Sequence, residues 1–135
     1  MFHMKQFTSK SQKIGEYGES ICAKWLENNR FGIIDRNYTT RSGEIDIIAS
    51  KEGVIHFIEV KSVSCETTEG LENQDMYNPA ENMTQEKIKR CFSAISEYKS
   101  ENQLVSHETQ LDLYMVFIDQ RNLKHKIQRI ENIFL

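Results

Sequence analysis

No apolar run in this 135-residue chain approaches the ~20 residues that cross a bilayer. The opening stretch, Met1 to Lys10, has no apolar segment of the kind a secretory signal carries. A membrane partner is therefore not expected, and a cytoplasmic location is. Cysteine is scarce. Cys22, Cys65 and Cys91 are odd in number, and no two of them form a CxxC. The histidines His3, His56, His107 and His125 are scattered. This argues against a disulfide framework and against a zinc site of familiar spacing, and it implies free thiols in a reducing compartment. An excess of positive charge is also missing. The formal net charge of −3 speaks against a protein that coats nucleic acid through a broad basic surface. It leaves room for an enzyme that touches DNA through a small patch, because acidic metal ligands themselves lower the formal charge. Internal repeats and low-complexity tracts are absent.

The length and the apolar share of 39% fit one domain around one core, spanning residues 1–135, with 1–8 expected to be flexible. From about Ser9 to Asn29, Ile14, Tyr17, Gly18, Ile21, Cys22, Trp25 and Leu26 recur at helical spacing. Asn29 is expected to end this helix in a left-handed conformation. Gly32 to Thr40 reads as a short strand, Arg41-Ser42-Gly43 as a turn, and Glu44 to Ala49 and Val54 to Val60 as two strands. Residues 64–83 are polar and hold the only proline, Pro79, so a long loop is expected there. Thr84 to Ser100 is again helical, with Asn82 and Thr84 as competing caps. Leu111 to Asp119 is apolar on both faces, as in a central strand, and Lys124 to Ile130 suits an edge strand. The order of elements predicts an α/β fold, a mixed sheet flanked by helices.

Two carboxylates stand out against their apolar flanks. Glu59 lies in Val54-Ile-His-Phe-Ile-Glu-Val-Lys61, and Asp46 lies between Ile45 and Ile47. Side chains alternate along a strand, so Ile55, Phe57, Glu59 and Lys61 share one face. A carboxylate buried there needs a cation, either a lysine or a metal ion. If Glu52-Gly53 is a two-residue turn, Lys51 faces Val54 and Asp46 faces Glu59, with Cβ atoms roughly 4.5–5.5 Å apart. Such a pair repels unless a cation lies between the two groups. A three-residue loop with Gly53 as a bulge would instead shift the count by one, and a further bulge would restore it. A D…ExK pattern is short and common. Taken alone, it more often marks a cross-strand salt-bridge cluster.

Gly18-Glu19, Gly43-Glu-Ile-Asp-Ile-Ile-Ala49 and Phe57-Ile-Glu-Val-Lys-Ser62 together resemble the YraN-like family. These are small bacterial proteins of the PD-(D/E)xK nuclease type, similar to archaeal Holliday junction resolvases. Asn37, Thr84, Lys87, Leu111-Asp112-Leu113 and Ile130-Glu131-Asn132 also match, in the family's order. The resemblance implies a restriction-endonuclease-like fold and a metal-dependent endonuclease acting on DNA, with branched or junction DNA as a candidate substrate, in repair or recombination. It implies Asp46, Glu59, Lys61 and Glu19 as catalytic residues. Mg²⁺ (or Mn²⁺ in its place) would be held by Asp46, Glu59, the Val60 carbonyl, and Glu19 directly or through water. Junction resolution would further call for a homodimer. The chain departs from the family's pattern at Val63, where a basic residue is usual, at Arg30, where glycine is usual, and in the length of the 64–83 stretch. Lys87 and Arg41 are the candidate DNA contacts, each weighed against a solvated side chain, and Arg121 to Arg129 reads as a solvated edge. His56 points away from Glu59. The competing reading is a catalytically inert nucleic-acid-binding or interaction module on the same fold.

Overall fold

The computed structural model describes residues 10–65 and 83–134. The chain runs α1 (Lys10–Asn28), β1 (Gly32–Thr39), β2 (Glu44–Lys51), β3 (Val54–Cys65), α2 (Gln85–Glu101), β4 (Thr109–Asp119) and β5 (Lys124–Ile130). The strands form one sheet in the order β1-β2-β3-β4-β5. Every neighbouring pair is antiparallel except β3 and β4, which run parallel and are joined by α2. This is the α/β architecture of the restriction-endonuclease-like type. The expected flexible start, most of the expected 64–83 loop and Asn82 lie outside the described residues.

Each helix covers one face of the sheet. Cys22 and Leu26 of α1 pack on Ile47, Ile58, Tyr114 and Val116. On the opposite face Ile88, Ile95 and Tyr98 of α2 pack on Ile48, Phe57 and Leu111. The alternation of side chains along β3 and β4 thus sends successive residues into different cores. From Leu111 to Asp119 every residue of β4 is buried, as expected of a strand covered on both faces. Tyr17, part of the apolar stripe in sequence, stands at its margin and is exposed.

Two local departures have physical causes. First, β3 continues past Val60 to Cys65, because its pairing with β4 runs from Ile55–Thr109 to Cys65–Asp119. Ladder bonding carries the polar residues Lys61, Ser62 and Ser64 into a strand that their own preferences would not extend. Second, α1 does not end with Asn29 in the left-handed region. Arg30 takes that role at φ 68°, while Arg30 N donates to the Glu27 carbonyl at 3.3 Å and Phe31 N to the Leu26 carbonyl at 3.0 Å. This is a Schellman closure, with a long side chain in the position where glycine has no steric penalty. Of the two candidate caps of α2, Thr84 takes the role, its hydroxyl accepting from Lys87 N at 3.2 Å.

Candidate active site

The β2–β3 turn has two residues. Glu52 and Gly53 both have positive φ, at 50° and 82°, and Lys51 pairs with Val54, which is the type I′ pattern. The register continues through Ala49–His56 to Ile47–Ile58, where the described pairing ends, just before Asp46 and Glu59. There the Asp46 side chain, through Oδ2, accepts the Val60 N–H at 2.8 Å. Asp46 and Glu59 line one cleft of about 410 Å³. Arg41 and Glu44 enter it from the β1–β2 turn and the start of β2, and Lys87 and Arg90 enter from α2. The floor is therefore acidic and the rim basic.

Four polar or charged residues are buried among those described: His56, Glu59, Asp112 and Asp119. His56 and Asp112 hold each other, Nδ1 to Oδ2, at 2.8 Å. Asp119 accepts from Arg121 N, Asn122 N and Asn122 Nδ2. Glu59 is the exception. Its Oε2 lies 3.6 Å from Lys87 Nζ, and its Oε1 has no hydrogen-bond partner among the described residues. A buried oxygen left unmatched costs about 1–3 kcal/mol or more for a charged group, so its placement is not explained by stability.

Electrostatics follow from this burial. Desolvation, then the Asp46 carboxylate, push the Glu59 carboxyl up to about 8, partly offset by Lys87. Burial likewise raises Asp46, opposed by its bond from Val60 N and by Lys87. Glu19 is pushed up to about 7, by burial first and then by Asp46. It stands on α1 at the edge of this acidic group and is tied to it through Asn37. In the amide orientation that satisfies both neighbours, Asn37 Nδ2 donates to Glu19 Oε1 at 3.1 Å and to Glu44 Oε1 at 3.3 Å. Asn37 has φ 55°, a left-handed conformation that asparagine tolerates better than most residues.

The predicted residues are thus not all in one place. Asp46, Glu59, Lys87 and Arg41 share the cleft. Glu19 acts on it through its field. Lys61 is exposed and lines the neighbouring depression with Ile14, Gly15 and Ser62, two residues and ~7 Å along β3 from Glu59. The ammonium that meets Glu59 is that of Lys87. Arg90 was not singled out in the sequence. Its spacing of three from Lys87, which puts both on one helix face, was the available signal.

The close approach of α1 to β3 depends on Gly18. A Cβ placed there would stand 2.9 Å from Ser62 Cβ and closer still to its hydroxyl. Rotating the serine would relieve the second contact but not the first. Gly18→Ala is therefore expected to lower stability by about 1–3 kcal/mol, measured by chemical denaturation. Ser62→Gly in the same chain should restore most of the loss. A single variant as stable as the wild type would show that α1 is free to shift.

The donor set bears on metal binding. No group of three or more His, Cys, Asp or Glu side chains among the described residues is arranged to hold a metal ion. Two carboxylates in one cleft, one with an unmatched buried oxygen, suit a hard cation that keeps much of its own water, as Mg²⁺ does. Among the described residues no helix is long and apolar enough to cross a membrane, and Cys22, Cys65 and Cys91 are free thiols.

A model of the family described as "Uncharacterised protein family UPF0102" matches residues 18–131. A UPF0102 protein of Dichelobacter nodosus is 30% identical over 132 residues, 98% of this chain and 97% of its own. One from Campylobacter hominis is 35% identical over 126 residues, 93% and 97% of the two chains. One from Campylobacter lari is 36% identical over 120 residues, 88% and 91% of the two. The family match begins at Gly18, takes in the whole cleft and ends at Glu131. The chain belongs to the UPF0102 family, the YraN family indicated by its motifs.

Proposed function

We propose that the protein is a metal-dependent endonuclease that hydrolyses phosphodiester bonds in DNA. The observation that carries this reading is the carboxylate pair sunk beneath a basic rim. Asp46 and Glu59 would hold Mg²⁺, or Mn²⁺ in its place, with the Val60 carbonyl adjacent and Glu19 acting through water. The bound cation would polarise the scissile phosphate and supply a water of lowered pKa. Arg41, Lys87 and Arg90 bind and orient the phosphodiester above the acidic floor. Lys61, on the face of β3 that carries Glu59, stabilises charge on the phosphate or orients the attacking water once the backbone is seated. Cleavage of a four-way junction would require two such clefts, and hence a homodimer.

The test supplies Mg²⁺ or Mn²⁺ with single-stranded, duplex, flapped and four-way-junction DNA, and with RNA. Wild type is compared with Glu59→Ala and Lys61→Ala. Cleavage that persists equally in both variants would rule the site out. A second reading, an inert nucleic-acid-binding module, draws on the Glu59–Lys87 ion pair and the exposure of Lys61. It predicts DNA binding that neither needs a divalent cation nor leads to cleavage.

Cation binding should depend on pH in a defined direction. The Glu59 carboxyl, raised to about 8, must lose its proton to ligate. Apparent affinity for Mn²⁺ is therefore expected to rise by up to about tenfold per pH unit towards pH 8 and then level off. Calorimetric titrations between pH 6 and pH 9 would check this. A flat profile would count against Glu59 as a ligand.

A further inference from the structure

Lys87 does not behave as a solvated helix lysine. It sits in the first turn of α2, where the helix dipole disfavours a cation. Its ammonium nevertheless turns down into the cleft, 3.6 Å from Glu59 Oε2, with the side chain 39% exposed. Its charge acts on Asp46 as well as on Glu59. Arg41 and Arg90 line the same cleft and form no ion pair with either carboxylate among the described residues.

We infer that Lys87 is a resident counter-ion of the Asp46–Glu59 pair, displaced by an incoming divalent cation and thereby released to a phosphate of the substrate. The inference rests on the metal-dependent reading of the site. A monocation and a dication cannot both sit against the same two carboxylates without strong mutual repulsion. The lysine stem is flexible and its ammonium well hydrated, so it can leave at small cost. When it swings to the rim it joins Arg41 and Arg90, and a site whose carboxylates one lysine had partly offset presents three cations to the DNA backbone. Cation loading and phosphate capture are coupled through one side chain. Lys87 is here a positioning and binding residue, and its effect is read without turnover.

The experiment is a calorimetric titration of the full chain with Mn²⁺, without nucleic acid, on wild type, Lys87→Met, Lys87→Gln and Lys87→Arg. Thermal denaturation confirms that each variant is folded. The two neutral variants are expected to bind Mn²⁺ roughly three- to tenfold more tightly than wild type, and the arginine variant about as wild type does. Equal or weaker binding by both neutral variants would overturn the counter-ion role while leaving the metal site standing. Binding by none of the four would overturn it together with the metal-dependent reading. The second half is read from binding of duplex DNA in Ca²⁺ over a range of salt. There Lys87→Met should reduce the salt slope by about one phosphate contact. An unchanged slope would overturn the release to phosphate.

Discussion

Glu59→Gln is expected to reduce metal-dependent cleavage by at least about 10²-fold while leaving the metal-free protein as stable as wild type, or more so, at pH 8. The two effects have one cause. Glu59 is 6% exposed, it lies in the field of Asp46, and one of its oxygens is unmatched, so its negative charge is unfavourable even beside Lys87. The unfolded chain carries this carboxyl at its ordinary value of 4.5, whereas the folded chain raises it to about 8. The folded state therefore holds the proton more tightly between these limits, and its stability falls as pH rises from about 4.5 to about 8. Glutamine keeps the shape, removes the charge and removes that decline. Its amide also offers a donor at every pH, which an ionised glutamate does not. Melting curves at pH 6 and pH 9 should show wild type losing stability between the two and Glu59→Gln losing less. Excess Mn²⁺ should stabilise wild type at pH 9 by mass action and leave the variant nearly unmoved. Undiminished cleavage by Glu59→Gln, or a variant that unfolds at every pH, would defeat this account.

How much of the site could be read in advance depended on how local its determinants were. The two-residue turn and the register from Lys51–Val54 to Ile47–Ile58, which bring Asp46 and Glu59 to one cleft, follow from a few neighbouring residues. The step that sequence left open was Glu52 at positive φ. The turn accepts it because the paired strands on either side fix the I′ geometry, and Gly53 relieves the second left-handed position. Lys61 illustrates the limit of alternation. Alternation gives a direction and not a distance, and the Lys61 side chain lines the depression beside Ile14 and Gly15 of α1 and not the cleft. What fills that space comes from α2, more than twenty residues further on, through its packing on Phe57 and Ile48. Periodicity could place Lys87 and Arg90 on one helix face. It could not say that this face borders the carboxylates. The left-handed Arg30 was missed for a different reason: asparagine is the better local candidate, and the closure at Phe31 decided the matter by one residue.

Asp112→Ala is expected to have the opposite profile, a loss of about 3–5 kcal/mol in stability with cleavage per folded molecule little changed. Asp112 is fully buried and both of its oxygens are engaged. Oδ2 meets His56 Nδ1 at 2.8 Å, and Oδ1 accepts from Gln110 Nε2 at 2.9 Å and from Asn132 N at 2.9 Å. Alanine would leave a buried imidazole against Phe31 with no acceptor and a main-chain N–H without its partner, each a full desolvation penalty. It would also loosen the C-terminal segment, which is held beside β4 by Asn132 and by the bond from Ile133 N to the Leu111 carbonyl at 2.8 Å. Leu111-Asp112-Leu113 and Ile130-Glu131-Asn132, far apart in the chain, are thereby brought together. They are two halves of one contact. The cluster lies on the face of β3 opposite Glu59, because His56 and Glu59 differ by an odd number of strand positions. Asp112→Asn, which keeps the acceptor for Asn132 N, should lose less than alanine does. Denaturant midpoints give the stability, and cleavage rates scaled to the folded fraction give the function. A loss under about 1 kcal/mol for Asp112→Ala would mean that water replaces the carboxylate, and that this buried cluster is not what joins the C-terminal segment to the sheet.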